Sequence, residues 1–303
     1  MSSTSPILLN VVGPTAIGKT KLAIDLAKYF ETEIISTDSR QFYKELSIGT
    51  AVPSKEELSQ IPHHFIHNKS IIDDYNVGKY EKEALNKLEK LFTKHKLIIS
   101  VGGSGLYIDA INKGLHHFPE VKKNIRQSLH NNYEKFGIEY LKQDLKKNDP
   151  EYYYKVDLSN PVRILRALEV FWSSGTPYSS YLKKEKQNRP FKSIYIGLNT
   201  DREILYNRIN HRVDLMMANG LLEEVESVLK YRDHNALQTV GYKEMFLYLD
   251  EHFTLDEAIN EIKKNSRRYA KRQITWFKRN PEILWFDIHT DFSAIIQKVK
   301  SAL

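Results

Sequence analysis

Ile7-Leu8-Leu9-Asn10-Val11-Val12-Gly13-Pro14-Thr15-Ala16-Ile17-Gly18-Lys19-Thr20 joins two patterns. The first six residues are a short, mostly apolar run, as in a strand buried on both faces. The next eight match G-x-x-x-x-G-K-[ST] and open a helix expected over Lys19–Phe30, where Leu22, Ala23, Leu26, Ala27 and Phe30 recur at helical spacing. Strand, glycine-rich turn and helix is the context in which this motif binds phosphate. Its backbone N–H groups face the ligand at a helix N-terminus, Lys19 adds a cation, and the Thr20 hydroxyl can hold Mg²⁺.

Working outward, Glu33–Ser36 reads as a second strand, ending at Thr37-Asp38-Ser39. A polar, loop-rich stretch runs to about residue 78. A helix is expected over Tyr80–His95 and a continuous apolar strand over Leu97–Val101. The texture then changes: residues 112–190 contain amphipathic helical stretches separated by Pro150, Pro161 and Pro177, with no convincing strand. A strand returns at Ser193–Leu198, a capping box is expected at Thr200–Glu203, and the helix it opens runs to Gly220. A second capping box, Thr254–Glu257, opens a long basic helix, and Ile283–Phe286 is a last strand. Alternating strands and helices predict an α/β fold, a P-loop NTPase-like parallel sheet flanked by helices. The expected domains are a catalytic core, 1–111 and 191–303, interrupted by an all-helical insertion, 112–190.

Composition narrows the function. With 303 residues, 41% apolar and 27% charged, the chain can bury a sizeable core. It has no cysteine, which excludes disulfide frameworks, thiol catalysis and Cys-ligated metal sites. No run approaches the length a membrane helix needs, and Ile7–Val12 has no basic leader, so a cytoplasmic location is expected. The net charge of +7 is uneven. Residues 1–111 carry 13 basic and 13 acidic side chains, whereas 112–190 carry 15 and 9. From Ile262 to Asn280 there are eight Lys/Arg and no acid. Lys263, Lys264, Arg267, Arg268, Lys271 and Arg272 share one side of a helix, and six unpaired cations there point to a polyanion.

A P-loop by itself establishes only a phosphate or diphosphate ligand. A nucleotide hydrolase would usually place a carboxylate after a later apolar strand, but Leu97–Val101 ends in Gly102-Gly103-Ser104-Gly105. The acid sits instead at Asp38, where it is free to act as a general base.

Several segments together carry a resemblance. Asp38-Ser39-Arg40-Gln41-Phe42-Tyr43 with Ile48-Gly49-Thr50-Ala51 and Pro53 resembles the D-S-x-Q-x-Y…G-T-A-x-P signature of tRNA dimethylallyltransferases. Gly102–Tyr107 resembles that family's G-G-T-x-L-Y loop, and Arg163 with Arg166–Val170 its R-x-x-R-A-L-E-V helix. Gln238–Glu244 and Arg272–Phe277 are similar to its Q-T-I-G-Y-K-E and K-R-Q-x-T-W-F segments, and the order is kept from about residue 7 to 287.

The resemblance implies transfer of a dimethylallyl group from dimethylallyl diphosphate to N6 of the adenosine 3′ of the anticodon, position 37. The acceptors would be tRNAs reading codons that begin with U, and diphosphate would be released. It implies that Gly13, Pro14, Thr15, Ala16, Ile17, Gly18, Lys19 and Thr20 hold the donor's diphosphate with Mg²⁺. It assigns Asp38 as general base, Thr15 to the leaving oxygen and Arg212 as a diphosphate clamp; from the residues alone, Arg212 could equally be a surface charge one turn from Arg208. It places contacts with the anticodon stem-loop at Asp38, Ser39, Arg40, Gln41, Ser104, Arg126, Val162, Arg163, Ile164, Leu165, Arg166, Gln238, Tyr242 and Lys243. One chain holds a whole site, so a monomer without an obligate protein partner is expected.

Three departures from the pattern stand out. Ser104 replaces a threonine, His67 replaces an acid within Pro62-His63-His64-Phe65-Ile66-His67, and Pro161 sits where a helix should start. A small-molecule P-loop kinase, a free-nucleotide isopentenyltransferase and a non-enzymatic nucleic-acid binder are the competing readings. Neither small-molecule enzyme needs the basic surfaces, and a mere binder has no use for a P-loop beside Asp38.

Overall fold

The computed structural model describes residues 5–183 and 188–303, so residues 1–4 and the insertion's Lys184, Glu185, Lys186 and Gln187 lie outside it. Six parallel strands form one sheet: β1 (Ile7–Val12), β2 (Ile34–Ser36), β3 (His63–His64), β4 (Leu97–Val101), β5 (Lys192–Asn199) and β6 (Ile283–Asp287). Their order across the sheet is β3-β2-β4-β1-β5-β6. β1 is central, with Leu9 in register with Ile99 on one side and Ile194 on the other.

Helices cover both faces, which is why the central strands are apolar throughout. Leu8, Ile35 and Ile98 pack into one core with Tyr80 and Leu88 of the Val77–Phe92 helix. Leu9, Val11, Ile34 and Ile99 pack into the other with Leu22, Ala23 and Leu26 of the Lys19–Tyr29 helix. Asn10 is a buried polar residue in β1, and it is fully engaged. Its amide exchanges hydrogen bonds of 2.9 Å with that of Asn112 and also donates to the carbonyls of Leu8 and Ile194.

The chain divides into two compact units, residues 1–112 with 189–303, and residues 113–188. The second is helical. Pro161 is the first residue of its Pro161–Ser174 helix, where a missing N–H costs nothing, and Asn160 caps that helix by accepting from the Arg163 N–H. Leu129, Leu141, Leu145, Ile164, Leu165 and Leu168 form its core.

Two local expectations change. The 202–218 helix is capped by Asp201, which accepts from the Glu203 N–H at 2.7 Å, and not by Thr200. The loop before residue 78 contains the short helix Lys55–Leu58 and the two-residue strand β3. A further helix, Phe292–Ala302, follows β6. Among the described residues no helix is long and apolar enough to cross a membrane.

Candidate active site

β1 delivers the chain into residues 13–18, and the Lys19–Tyr29 helix begins at once, with Gly18 in the left-handed region as its cap. The helix N-terminus and its unpaired N–H groups therefore sit at the carboxyl end of the sheet, where an anion is favoured. The Lys19 ammonium donates to the Pro14 carbonyl at 2.7 Å. Burial, reinforced by the nearby Arg212 cation, pushes Lys19 down to about 7, and only the Asp38 carboxylate opposes this.

Asp38 follows β2. One of its carboxylate oxygens accepts the Arg40 backbone N–H at 2.9 Å, which fixes the side chain. The segment is braced from the loop after β4. Ser104 Oγ accepts the Ser39 N–H at 3.0 Å and lies 3.1 Å from Ser39 Oγ, so serine suffices where the sequence pattern has threonine. Gln41 reaches across to donate to the Ala51 carbonyl at 3.0 Å.

Arg212 comes from the Arg202–Ala218 helix and donates to Thr15 Oγ1 at 3.3 Å. Burial holds its guanidinium below the usual arginine range, with Asp38 acting the other way. Arg212 thus points inward, while Arg208 bonds the Ala16 carbonyl at 2.8 Å.

Two cavities of about 490 Å³ each open around these groups. One is walled by the P-loop with Lys19, Thr20, Glu57 and His63. The other is walled by Ser39, Arg40, Gln238, Lys243 and Arg272. Thr15, Asp38, Arg212 and Tyr269 belong to both walls. A chamber lined by the P-loop and a chamber rimmed by cations and amides therefore share a wall that includes the Thr15 hydroxyl, the Asp38 carboxylate and the Arg212 guanidinium.

The family model described as IPP transferase matches residues 41–280. The tRNA dimethylallyltransferase of Flavobacterium johnsoniae is 57% identical, over 96% of this chain and 96% of its own. This chain belongs to the IPP transferase family. The crystal structure of the full-length tRNA isopentenylpyrophosphate transferase from Bacillus halodurans is similar with a TM-score of 0.71 at 36% identity, covering 97% of this chain and 94% of that one. A eukaryotic dimethylallyltransferase, solved acting on tRNA, gives a TM-score of 0.81 at 26% identity, covering 98% of this chain and 77% of that one.

Not every residue of this IPP transferase family member that was expected to meet RNA lies at a surface. Arg163 and Val162 are exposed at the start of their helix, but Ile164 and Leu165 are 0% and 5% exposed in the core of the helical unit, so their side chains offer nothing to an RNA. Arg126 and Arg166 converge on the buried Glu169 carboxylate, at 3.0 and 3.4 Å. Tyr242 is also corrected: it is fully buried, and its hydroxyl donates to Glu224 at 2.6 Å. That same carboxylate accepts the backbone N–H groups of Ser47, Ile48 and Gly49 at 2.8, 2.8 and 2.9 Å. Tyr242 and Glu224 thus hold the loop that carries Thr50 and Ala51 into both cavities. Gln238 and Lys243 are exposed on the second cavity's wall.

The basic stripe is less uniform than its sequence. Lys263 pairs with Asp214 of the neighbouring helix, Lys264 with Glu261, and Arg267 donates to Asn210 at 2.6 Å. Arg268, Lys271 and Arg272 are the exposed part. The three histidines of the 63–67 segment go separate ways, His63 to the Ile61 carbonyl, His64 to Glu33 and His67 to Ser47.

Sequence reasoning passed over two residues of the basic helix. Tyr269 lines both cavities, and burial beside Asp38 pushes its phenol up to about 12. Gln273 is buried against the P-loop. Both lie in or beside the Arg272–Phe277 motif, where Gln273 read only as a letter of the motif.

Proposed function

We propose that this protein transfers a dimethylallyl group from dimethylallyl diphosphate to N6 of adenosine 37 in tRNAs that read codons beginning with U. The observation that carries the reading is the meeting of the two cavities at Thr15, Asp38 and Arg212.

In this reading the P-loop N–H groups and Lys19 hold the donor's diphosphate. The C1–O bond breaks with its electron pair on the departing diphosphate, where Arg212 and the Thr15 hydroxyl meet the developing charge. The adenine N6 lone pair forms the new C–N bond, and Asp38 takes the proton that N6 loses. The adenosine has to leave its stack to reach the junction. Arg126, Arg163 and Arg166 of the helical unit, and Arg268, Lys271 and Arg272 of the basic helix, supply cations for the anticodon stem-loop phosphates.

The residues present fit Mg²⁺ carried mainly by the donor. Among the described residues no group of three or more His, Cys, Asp or Glu is placed to hold a metal ion, while the Thr20 hydroxyl lines the phosphate cavity. Mg²⁺ commonly binds through phosphate oxygens and few protein ligands. When bound, it would neutralise charge on the leaving diphosphate.

A single-turnover assay with radiolabelled dimethylallyl diphosphate, Mg²⁺ and unmodified tRNA, run beside AMP, ADP and ATP, tests the reading. Label is expected only in tRNA, at the adenosine next to the anticodon. Label on a free nucleotide would indicate the small-molecule isopentenyltransferase, and phosphate release from ATP without prenyl transfer would indicate a kinase or NTPase.

A further inference from the structure

Gln273 lies near the end of the Leu255–Phe277 helix and is 5% exposed. Its amide is used at both ends. The oxygen accepts the backbone N–H of Thr15 at 2.8 Å, and the nitrogen donates to the carbonyl of Gly103 at 3.0 Å. The fit is close: a Cβ on Gly103 would stand 2.2 Å from Gln273 Nε2, so a side chain there would have to displace the amide. The helix is seated on either side of the amide. Ala270 and Phe277 are buried, and the Trp276 indole donates to Asp109 at 3.0 Å.

The two partners of this amide belong to the two halves of the proposed reaction. Thr15 is held by its N–H at Gln273 and by its hydroxyl at Arg212, so the peptide plane that Gln273 fixes sets where the hydroxyl stands. Gly103 precedes Ser104, which grips Ser39 beside Asp38. A single side chain thus spans the loop carrying the leaving-group hydroxyl and the loop bracing the proton acceptor. A shift of about 1 Å in such a site costs roughly 100-fold in rate.

We propose that Gln273 is a positioning residue for the transfer step, holding the Thr15 hydroxyl in register with Asp38 without touching either substrate. The proposal rests on the reading above and fails separately from it. If the wild-type protein transfers no label to tRNA, that reading falls; if it does and Gln273 variants match it, this proposal falls alone.

The test uses the full chain in single-turnover assays at saturating dimethylallyl diphosphate and tRNA, with tRNA and inorganic pyrophosphate binding measured in parallel. Gln273→Leu is expected to slow transfer by about 100-fold, with both dissociation constants within roughly threefold of wild type. In a Thr15→Ala background the same substitution should cost less than about threefold, because the hydroxyl it positions is gone. An equal loss in both backgrounds, or loss of tRNA or pyrophosphate binding in step with the rate, would overturn the proposal.

Gln273→Glu keeps the size of the side chain and covers the case in which the leucine variant does not fold. Ionised, it accepts from Thr15 but repels the Gly103 carbonyl. Protonated, it restores both hydrogen bonds. At pH 8 its transfer rate is therefore expected to fall about as far as that of Gln273→Leu, with both dissociation constants again held. A rate within about threefold of wild type would count against the assignment.

Discussion

The guanidinium of Arg212 reaches the hydroxyl of Thr15 at 3.3 Å, across 197 residues of sequence. One comes from a helix that follows β5, the other from the turn after β1. Their meeting sets the guanidinium and the hydroxyl side by side on the wall that the two cavities share. Arg212→Ala is expected to lower the single-turnover rate by about 100- to 1,000-fold, the usual cost of removing one donor to a developing negative charge. Arg212→Lys should recover only part of it, because an ammonium lacks the planar fork. A rate within about threefold of wild type for the alanine variant would remove Arg212 from the transfer step.

Asp38 is best probed with asparagine. Asp38→Asn preserves an acceptor for the Arg40 N–H, which Asp38→Ala would leave unpaired. Loss of a general base costs roughly 100- to 10,000-fold in turnover, while tRNA affinity in a filter-binding assay should stay nearly constant. Collapse of tRNA binding would make Asp38 a recognition residue instead.

Lys19 gives a pH signature. With a pKa lowered to about 7 in the free protein, it is largely neutral at pH 8. A bound diphosphate favours the ammonium and raises that pKa, so binding above pH 7 takes up a proton and weakens as pH rises. Calorimetry of pyrophosphate binding at pH 8 in buffers of different ionisation enthalpy should show this uptake. Lys19→Met should abolish it, and a buffer-independent enthalpy in the wild type would contradict it.

The stripe on the basic helix divides into paired and exposed cations, and salt dependence can tell them apart. Replacing Arg268, Lys271 and Arg272 by glutamine should flatten the slope of log affinity for tRNA against log salt by about 0.7–0.9 for each phosphate no longer neutralised. Lys263→Gln should leave the slope nearly unchanged, since Asp214 already holds that cation. Equal effects would mean that RNA displaces the ion pair.

Glu224 and Tyr242 make a stability prediction. Glu224→Ala abandons three loop N–H groups and the Tyr242 hydroxyl, and should cost roughly 2–4 kcal/mol in urea unfolding. Tyr242→Phe removes one bond and should cost about 1 kcal/mol. The ring itself sets the identity of residue 49, where a Cβ would come within 2.6 Å of it.

The sheet, the P-loop and the Asp38 segment were legible because each depends on local pattern: apolar runs for buried strands, glycines and a lysine at fixed offsets for the loop. The positions of Tyr242, Ile164 and Leu165 were not. Motif position marks that a residue matters, but a phenol that organises a loop from inside and one that touches RNA leave the same letter. Gln273 was missed for the converse reason, since a glutamine in a basic helix carries no mark of the loop it will meet 258 residues away. Even the charge stripe misled in part, because the acid that neutralises Lys263 belongs to another helix.

The central strand also fixes an order of assembly. β1 has β4 and β5 as neighbours, and Asn10 reaches the Ile194 carbonyl 184 residues away, beyond the helical unit. As the chain emerges from the ribosome, the P-loop and Asp38 appear early, but the edge of β1 facing β5 stays open until the helical unit has been made. Arg212 and then Gln273 follow later still. Such long-range pairing is slow to form, and a nascent chain stalled before Arg212 carries a phosphate loop with nothing to complete it. Prenyl transfer therefore draws on residues made at opposite ends of the polypeptide's synthesis, Thr15 early and Arg212 and Gln273 late.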